Sequence, residues 1–250
     1  MPTSTPASSS VRLGIDLGGS KIEIAAFAPD GVELLRRRIA TPTGTYDGTI
    51  AALAALVAAV ETELRVGAGG ATVGIGTPGS LSRATGLLRG SNSVCLNGRP
   101  FRDDLAVALG RPIAMSNDAN CFALSEATDG AGAGARVVFG VILGTGVGGG
   151  IVVDGRVLDG PNGIAGEWGH NPLPWPRDDE RPGAACFCGR SGCIETFLSG
   201  PGLERDHARA IGAVAAAPRT PDESPWTWRT SRVSTRSENT HGPQSRGTRS

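Results

Sequence analysis

Four side chains that commonly bind metal ions lie within one short stretch of the chain. They are His170 and the three cysteines of the segment Cys186-Phe-Cys188-Gly-Arg-Ser-Gly-Cys193. One imidazole and three thiolates complete a tetrahedral zinc site, and such a site is structural because it leaves no position open for a substrate. The alternative is a chance cluster of buried free thiols. The spacing favours a structural zinc ion.

Two glycine-rich segments have the composition of phosphate-binding turns. The first, Asp16–Lys21, joins two strand-like stretches, and a glycine turn there exposes backbone N–H groups to a phosphate. Ser20 adds a hydroxyl, Lys21 adds a positive charge, and Asp16 is a candidate for holding hydrated Mg²⁺. The second segment, 144–150 (GTGVGGG), matches neither the Walker pattern nor the dinucleotide fingerprint. Either turn alone is compatible with a hairpin that binds nothing, but the pair predicts a nucleotide held between duplicated halves.

Three carboxylates are candidates for contact with a hydroxylated substrate. Asp118 follows a strand and opens a helix, so it is either the N-cap of that helix or a general base for phosphoryl transfer. Glu167 and Glu195 flank the cysteine cluster and are candidate acceptors for hydroxyl groups, the alternative being solvated surface carboxylates. His170 has a second ring nitrogen that is free to face a substrate hydroxyl.

The elements that must position these residues follow an α/β order. Three antiparallel strands followed by alternating helices and strands predict helices packed on a sheet, and a hairpin at Asp154-Gly155 begins a second sheet. The predicted strands are 11–17, 21–28, 32–40, 71–77, 112–116, 136–143 and 150–158, and the predicted helices are 47–65, 101–109 and 118–128.

Composition excludes several classes of protein. The 24 basic and 24 acidic residues balance, which argues against a general binder of nucleic acid or anionic membranes. The sequence predicts neither a membrane span nor a secretory signal, and the clustered cysteines suggest a cytoplasmic metal site. Cys95 and Cys121, outside the cluster, are predicted to be buried small apolar residues.

Both ends of the chain have compositions unlike the rest. Residues 1–10 are polar and predicted to be disordered. Residues 218–250 contain one aliphatic residue, Val233, and six arginines, so they cannot bury enough apolar surface to order themselves. The segment is predicted to be either a disordered tail or the product of a shifted reading frame.

Taken together, these segments resemble the sugar kinases of the ROK (repressor, ORF, kinase) family, from about Val11 to Ile211. The resemblance implies an α/β fold of two ribonuclease H-like domains, as in actin and hexokinase, with ATP, Mg²⁺ and a hexose in the cleft. The expected domains are 11–116 and a partial second domain, 117–217, that carries the zinc knuckle, because family members continue well beyond Ile211. A homodimer is expected where the full C-terminus is present.

The resemblance also implies a role for each candidate residue. Asp118 is the catalytic base, and the sugar is held by Asn92, Asn117, Glu167, His170 and Glu195. The zinc ligands are His170, Cys186, Cys188 and Cys193. The phosphate turns comprise Asp16, Gly18, Gly19, Ser20 and Lys21 in the first half and Gly144, Thr145, Gly146, Gly148, Gly149 and Gly150 in the second.

Two motifs bear on the sugar. LNGRPF (96–101) and AGEWGHNPLPW (165–175) look most like bacterial fructokinases of the mannofructokinase type, whereas ALSEA (123–127) is shared with N-acetylglucosamine kinases. Cys95 departs from the tryptophan that fructokinase-like members often carry. The expected activity is ATP-dependent phosphorylation of the 6-hydroxyl of a hexose, first fructose. The alternatives are N-acetylglucosamine kinase, glucokinase, an inactive zinc-binding fragment, or a repressor of the same family, which would need a DNA-binding module before Val11.

Overall fold

The computed structural model describes residues 11–42 and 44–212. The N-terminal segment 1–10 and the segment 218–250, for which disorder or a shifted frame was predicted, lie outside the described residues. Within these residues, no helix is long and apolar enough to cross a membrane.

The first half of the chain forms a five-stranded sheet covered by two helices. Strand order is β3-β2-β1-β4-β7, with the first three strands antiparallel and the last three parallel, as the predicted element order requires. The elements of this half are β1 (Arg12–Leu17), β2 (Lys21–Phe27), β3 (Glu33–Ala40), α1 (Tyr46–Glu63), β4 (Thr72–Thr77), β5 (Ser80–Leu81), β6 (Leu88–Arg89), α2 (Phe101–Leu109) and β7 (Ala114–Asn117).

Alternation along β1 separates a buried face of this sheet from an open one. Leu13, Ile15 and Leu17 are buried and belong to the core that α1 and α2 complete. The residues between them, including Gly14 and Asp16, lie on the opposite face. A two-residue period therefore places Asp16 outside the core, at the carboxyl end of β1, which is where open α/β sheets bind ligands.

The second half of the described chain also contains consecutive antiparallel strands, in a smaller sheet. The helix α3 (Asp118–Thr128) follows β7 directly and packs on a three-stranded sheet of order β10-β9-β8. Its strands are β8 (Val137–Leu143), β9 (Val147–Val153) and β10 (Arg156–Val157). After a long irregular segment, the described chain ends in α4 (Glu195–Leu198) and α5 (Gly200–Ala210), two helices that the sequence patterns did not predict.

The second glycine segment differs from its prediction. The prediction placed a loop over 144–150, but β9 begins at Val147, so Gly148, Gly149 and Gly150 are strand residues paired with β8. The reason is packing. A Cβ on Gly150 would lie 2.6 Å from the carbonyl oxygen of Ala119 in α3, and one on Gly149 would lie 2.9 Å from the carbonyl oxygen of Gly140. These two glycines let a helix and a neighbouring strand approach the backbone closely.

Candidate functional site

Asp118 lies at the junction of the two sheets, where β7 ends and α3 begins. The helix is capped by Asn117, whose Oδ1 accepts the N–H of Asn120 at 3.1 Å, so Asp118 is not the cap. The Oδ1 atom of Asp118 accepts the Nδ2 of Asn117 at 3.0 Å and the N–H of Ala119 at 2.9 Å. Burial raises the pKa of Asp118. A carboxylate oriented in this way, with a raised pKa, is suited to accept a proton from a hydroxyl group.

Asp16 lies beside Asp118 across β4. Gly76 of β4 pairs with Asp16 in the sheet, and a Cβ on Gly76 would lie 3.7 Å from the Cα of Asp118. Burial raises the pKa of Asp16, and the negative charge of Asp118 raises it further. Two carboxylates that repel each other are the setting in which a divalent cation, bound directly or through water, relieves the repulsion. Asp16 thus fits a role in holding hydrated Mg²⁺ next to Asp118.

The first glycine turn is a tight hairpin that approaches Asn92. The N–H of Gly18 donates to the carbonyl of Lys21 at 3.0 Å, and the hydroxyl of Thr41 donates to the carbonyl of Gly18 at 2.8 Å. A Cβ on Gly19 would lie 3.5 Å from the amide group of Asn92. The fold therefore places the predicted sugar residue Asn92 against the predicted phosphate turn, with Ser20 and Lys21 at its end.

Glu167 lies on the second-sheet side of the site. Its carboxylate faces Gly148, where a Cβ would lie 3.1 Å from Oε1, and the indole of Trp168 donates to the carbonyl of Gly148 at 2.8 Å. The pKa of Glu167 is raised to about 7, first by burial and then by the charges of Asp118 and Glu195. The structure thus brings together three of the predicted carboxylates.

A cavity of about 270 Å³ opens beside Glu167 and His170. Its walls combine polar groups, Asn162 and Arg190, with the apolar side chains of Ile164 and Ala165. A larger cavity, of about 460 Å³, lies at the other end of β1 and β4 and contains none of the predicted site residues. The smaller cavity has the lining expected of a sugar pocket, because such sites are distinguished by converging polar groups and not by volume.

The four predicted metal ligands come together as the spacing indicated. The ligand atoms of His170, Cys186, Cys188 and Cys193 all lie within 4.8 Å of one another. The Sγ of Cys186 is 3.5 Å from Nδ1 of the histidine, and the other two Sγ atoms are 3.6 Å apart. A zinc tetrahedron with Zn–S of about 2.3 Å and Zn–N of about 2.0 Å has edges of roughly 3.5–3.8 Å. The donor set fits zinc, and these two distances match the edges of such a tetrahedron.

The knuckle also aligns residues of the candidate sugar site. An isolated β-bridge pairs Pro172 with Cys193. The N–H of Ile194 donates to the carbonyl of Asn171 at 2.9 Å. The N–H of Glu195 donates to the carbonyl of Gly169 at 2.8 Å. The cluster therefore links the segment that carries Glu167 to the segment that carries Glu195.

Some predicted residues also make contacts within the protein. The amide of Asn117 is engaged within the protein, donating to the carbonyl of Gly79 at 3.1 Å as well as to Asp118. Gly149 and Gly150 are buried within β9. Two cysteine predictions were wrong: Cys121 is exposed, with its thiol 3.4 Å from the Cβ position of Gly76, and Cys95 is half-buried at the edge of the core. The lack of a side chain at Gly76 leaves the space beside Cys121 open.

Two residues of the site were missed by sequence reasoning. Trp168 fixes the backbone of Gly148 and packs edge-on against Phe139, with ring centroids 6.1 Å apart. Asn120, fully buried, donates from Nδ2 to the carbonyl of Gly163 at 2.8 Å and so ties α3 to the cavity loop. Trp168 stood next to Glu167 in the predicted motif, which was the available signal. Nothing in the sequence marked Asn120 beyond its place after Asp118.

Comparison with known proteins places this geometry in a family. The sequence profile of the ROK family matches residues 12–229. An N-acetyl-D-glucosamine kinase of Pectobacterium atrosepticum is 45% identical over 195 residues, covering 76% of this chain and 63% of that protein. The fold is similar to the ROK hexokinase of Thermus thermophilus, at 36% identity and a TM-score of 0.67, with 81% of this chain and 64% of that one covered.

A second solved structure carries the expected ligands. The ROK glucokinase of Streptomyces griseus, solved with glucose and AMPPNP, is 32% identical with a TM-score of 0.66, covering 81% of this chain and 62% of that one. The chain thus spans just under two thirds of the length of these relatives. The resemblance seen in the sequence and the ribonuclease H-like α/β fold are confirmed. This chain belongs to the ROK family.

Proposed function

We propose that this protein phosphorylates the 6-hydroxyl of a hexose with ATP, and that N-acetyl-D-glucosamine is its preferred sugar. The observation that carries the proposal is the position of Asp118. It lies between the two sheets, beside Asp16 on one side and Glu167 on the other, with a glycine turn in each half.

Asp118 is the general base of the proposed reaction. Two donors hold its Oδ1, and its raised pKa makes it a stronger proton acceptor. It takes the proton of the sugar 6-hydroxyl as the oxygen attacks the γ-phosphorus and the bond to the β-phosphate oxygen breaks. Because phosphoryl transfer is mainly a matter of position and charge, the surrounding residues chiefly hold the reactants in line.

The two turns hold the triphosphate in this proposal. The Gly18–Ser20 turn and the Gly144–Gly146 turn present backbone N–H groups, and Lys21 supplies a positive charge. Mg²⁺, when bound, neutralises charge on the transferring phosphoryl group. Asp16 is the side chain that would hold the hydrated ion.

The sugar preference rests on the relatives and on the cavity. The curated relatives compared are N-acetyl-D-glucosamine kinases, and none of them bears out fructose as the first choice. The cavity beside Glu167 pairs hydroxyl-binding groups with the apolar Ile164 and Ala165, which suits an acetyl methyl group. Asn92, Asn117, Glu167, His170 and Glu195 remain the proposed sugar residues.

The two motifs that favoured fructose perform structural tasks in this fold. Asn97 of LNGRPF exchanges hydrogen bonds with Ser91, accepting its N–H at 2.9 Å and donating to its carbonyl at 2.8 Å. Trp168 of AGEWGH supports β9. Motifs that build the loops around a sugar do not by themselves report which sugar is bound.

Three further features belong to the proposal. A structural zinc ion binds His170, Cys186, Cys188 and Cys193, and its role is to order the knuckle. The domains are 11–116 and 117–217, and the protein is cytoplasmic. It assembles as a homodimer when the part of the fold present in its longer relatives is supplied.

The proposal is tested by a coupled assay for ADP with N-acetylglucosamine, glucose, mannose and fructose at equal concentration. The highest kcat/KM is expected for N-acetylglucosamine, and a higher value for fructose would overturn the sugar assignment. A matched control for Asp118→Asn is Asp129→Asn, an exposed aspartate just beyond the C-terminus of the same helix. Zinc binding without turnover of any sugar would support the inactive zinc-binding fragment instead.

A further inference from the structure

One oxygen of Glu195 accepts a hydrogen bond from the protein backbone. The buried N–H of Val147 donates to Oε2 of Glu195 at 2.9 Å. A Cβ on Gly146 would lie 2.8 Å from the same oxygen. The carboxylate therefore packs directly against the Gly144–Gly146 turn, and a side chain at position 146 would require the oxygen to shift.

The same turn is attached to this part of the chain at a second point. The N–H of Gly200, the first residue of α5, donates to the carbonyl of Gly144 at 2.7 Å. Within the turn, the N–H of Gly144 donates to the carbonyl of Gly146 at 2.9 Å. Both ends of the turn are thus held by residues that follow the cysteine knuckle, and Glu195 supplies the only charged group among these contacts.

Glu195 lies near Glu167, a residue of the proposed sugar pocket, because the two carboxylates lie against Gly146 and Gly148, which are two residues apart in the chain. Its charge contributes to the raised pKa of Glu167, which lines the cavity beside His170. A carboxylate has two oxygens and about four lone-pair sites. Glu195 can therefore keep the bond to Val147 while it accepts a hydroxyl from a sugar.

We infer that Glu195 is a positioning residue that couples the sugar pocket to the Gly144–Gly146 turn. A sugar hydroxyl bound to this carboxylate restricts its rotation and so tightens the bond to Val147, which orders the turn before the nucleotide arrives. The second ligand then loses less conformational freedom, which is positive cooperativity without a change of fold. The inference deepens the proposed function, because it assumes that the turn receives phosphates and the cavity a sugar.

The first test is amide hydrogen exchange at Val147 in the unliganded full chain. Glu195→Ala removes the acceptor of a buried N–H, so exchange at Val147 should accelerate about tenfold or more. Glu195→Gln keeps an oxygen acceptor and should restore most of the protection, and Glu204→Gln, exposed on α5, is the control that should change nothing. Unchanged exchange in Glu195→Ala would overturn the inference.

Gly146→Ala tests the same contact from the other side. Its methyl group would displace the Glu195 oxygen, so exchange at Val147 should rise even though the carboxylate is intact. This variant also decides the question if Glu195→Ala does not fold. Wild-type exchange at Val147 in folded Gly146→Ala would count against the contact.

The second test is binding of MgATP, measured by calorimetry with and without saturating N-acetylglucosamine. In the wild type the sugar should tighten MgATP binding about fivefold or more, and the factor should fall to near one in Glu195→Ala. An equal factor in both proteins would overturn the coupling and leave Glu195 as a sugar contact alone. If the wild type binds neither ligand, the proposed function fails, whereas the exchange at Val147 still decides whether Glu195 holds the turn.

Discussion

The edge strands of the two sheets differ in the side chains that they expose. β3, at one edge of the first sheet, carries Arg36, Arg37 and Arg38, which pair with Glu23, Glu33 and Glu63. β8, at one edge of the second sheet, exposes Val137, Phe139, Val141 and Leu143, with 62%, 49%, 42% and 47% of their surface accessible. Charged residues protect an edge strand from pairing with other chains, and apolar ones do not. The comparison shows a first sheet whose β3 edge is protected by charge and a second whose outer face and β8 edge are apolar and lack a neighbour among the described residues.

The two sheets also differ in how many helices cover them. The first sheet has its helices α1 and α2 on one face and ion pairs along its edge. The second has only α3 on one face. Stability should therefore reside mainly in the first sheet, while the second contributes residues to the site.

The largest expected effect falls at the junction of the two sheets. Asp118→Asn should lower kcat about 10²–10⁴-fold while sugar affinity stays within a few-fold, since the amide keeps the shape but cannot accept the proton. Initial rates and sugar binding on the same preparations measure both. A mutant with more than a tenth of the wild-type kcat would show that Asp118 only shapes the junction.

Metal removal should affect hydrogen exchange in the second half of the chain and leave the first half almost unchanged. Cys188→Ser, or treatment with a strong chelator, should release zinc and speed hydrogen exchange over residues 166–196, while exchange in β1 and β4 changes little. Elemental analysis and hydrogen exchange report on the two effects. Cys95→Ser, which removes a half-buried thiol from the first half, is the control. Equal loss of protection in both sheets would contradict the division.

The same substitution should have different costs in the two sheets. Gly150→Ala in β9 forces a methyl group to within 2.6 Å of the carbonyl oxygen of Ala119, so a loss of about 1–3 kcal/mol of unfolding free energy is expected. Gly74→Ala in β4 meets no atom within 4 Å and should cost little. Denaturant titration of both variants measures the difference. Equal costs would show that α3 can shift on the second sheet.

The raised pKa of Glu167, at about 7, predicts a pH dependence of stability. The folded protein binds the proton more tightly than the unfolded chain, so this group favours folding at low pH, and its contribution falls as pH rises from about 4.5 to about 7. Glu167→Gln should flatten that slope and gain on the order of 1 kcal/mol at pH 8, after allowance for partial exposure. Thermal midpoints from pH 5 to pH 8 test this. Parallel profiles for variant and wild type would contradict it.

The smallest expected effect on stability concerns the edge itself. Val141→Lys places a charge on the open face of β8 and should raise solubility, with a change in unfolding free energy of about 0.5 kcal/mol or less. Arg37→Val on β3 makes the opposite change and should lower solubility. Light scattering against concentration measures both. Equal scattering from wild type and Val141→Lys would mean that the edge of β8 is already covered.

The elements of the first sheet were predictable because each has a strong local signal. β1 alternates small or polar residues with Leu13, Ile15 and Leu17, and α1 is rich in alanine and leucine. Their observed bounds lie within about two residues of those predicted. The metal cluster was also predictable, since three of its ligands lie within a single turn of chain and the types of ligand are distinctive.

The second glycine segment and the end of the described chain were less predictable. A loop was predicted over Gly148, Gly149 and Gly150 because glycine is rare in strands. Their place in β9 is explained only by the close approach of α3 and of Gly166 in the folded protein. The helix α4 has only four residues, and α5, although amphipathic, is polar on average. The sequence could not distinguish Asn117 from Asp118 as the N-cap of α3, because asparagine and aspartate are both favoured at that position.

The sequence by itself determined the types of chemistry, the order of the elements, the metal-ligand set and the family, because these depend on residue identity and on local spacing. Only the tertiary structure decided that Asp118 lies beside Asp16 and Glu167, that Asn92 meets Gly19, and that Glu195 holds the N–H of Val147. These contacts join residues far apart in the chain. Their geometry follows from how the two sheets, α3 and the knuckle pack together, and close packing of that kind is not encoded in any short segment.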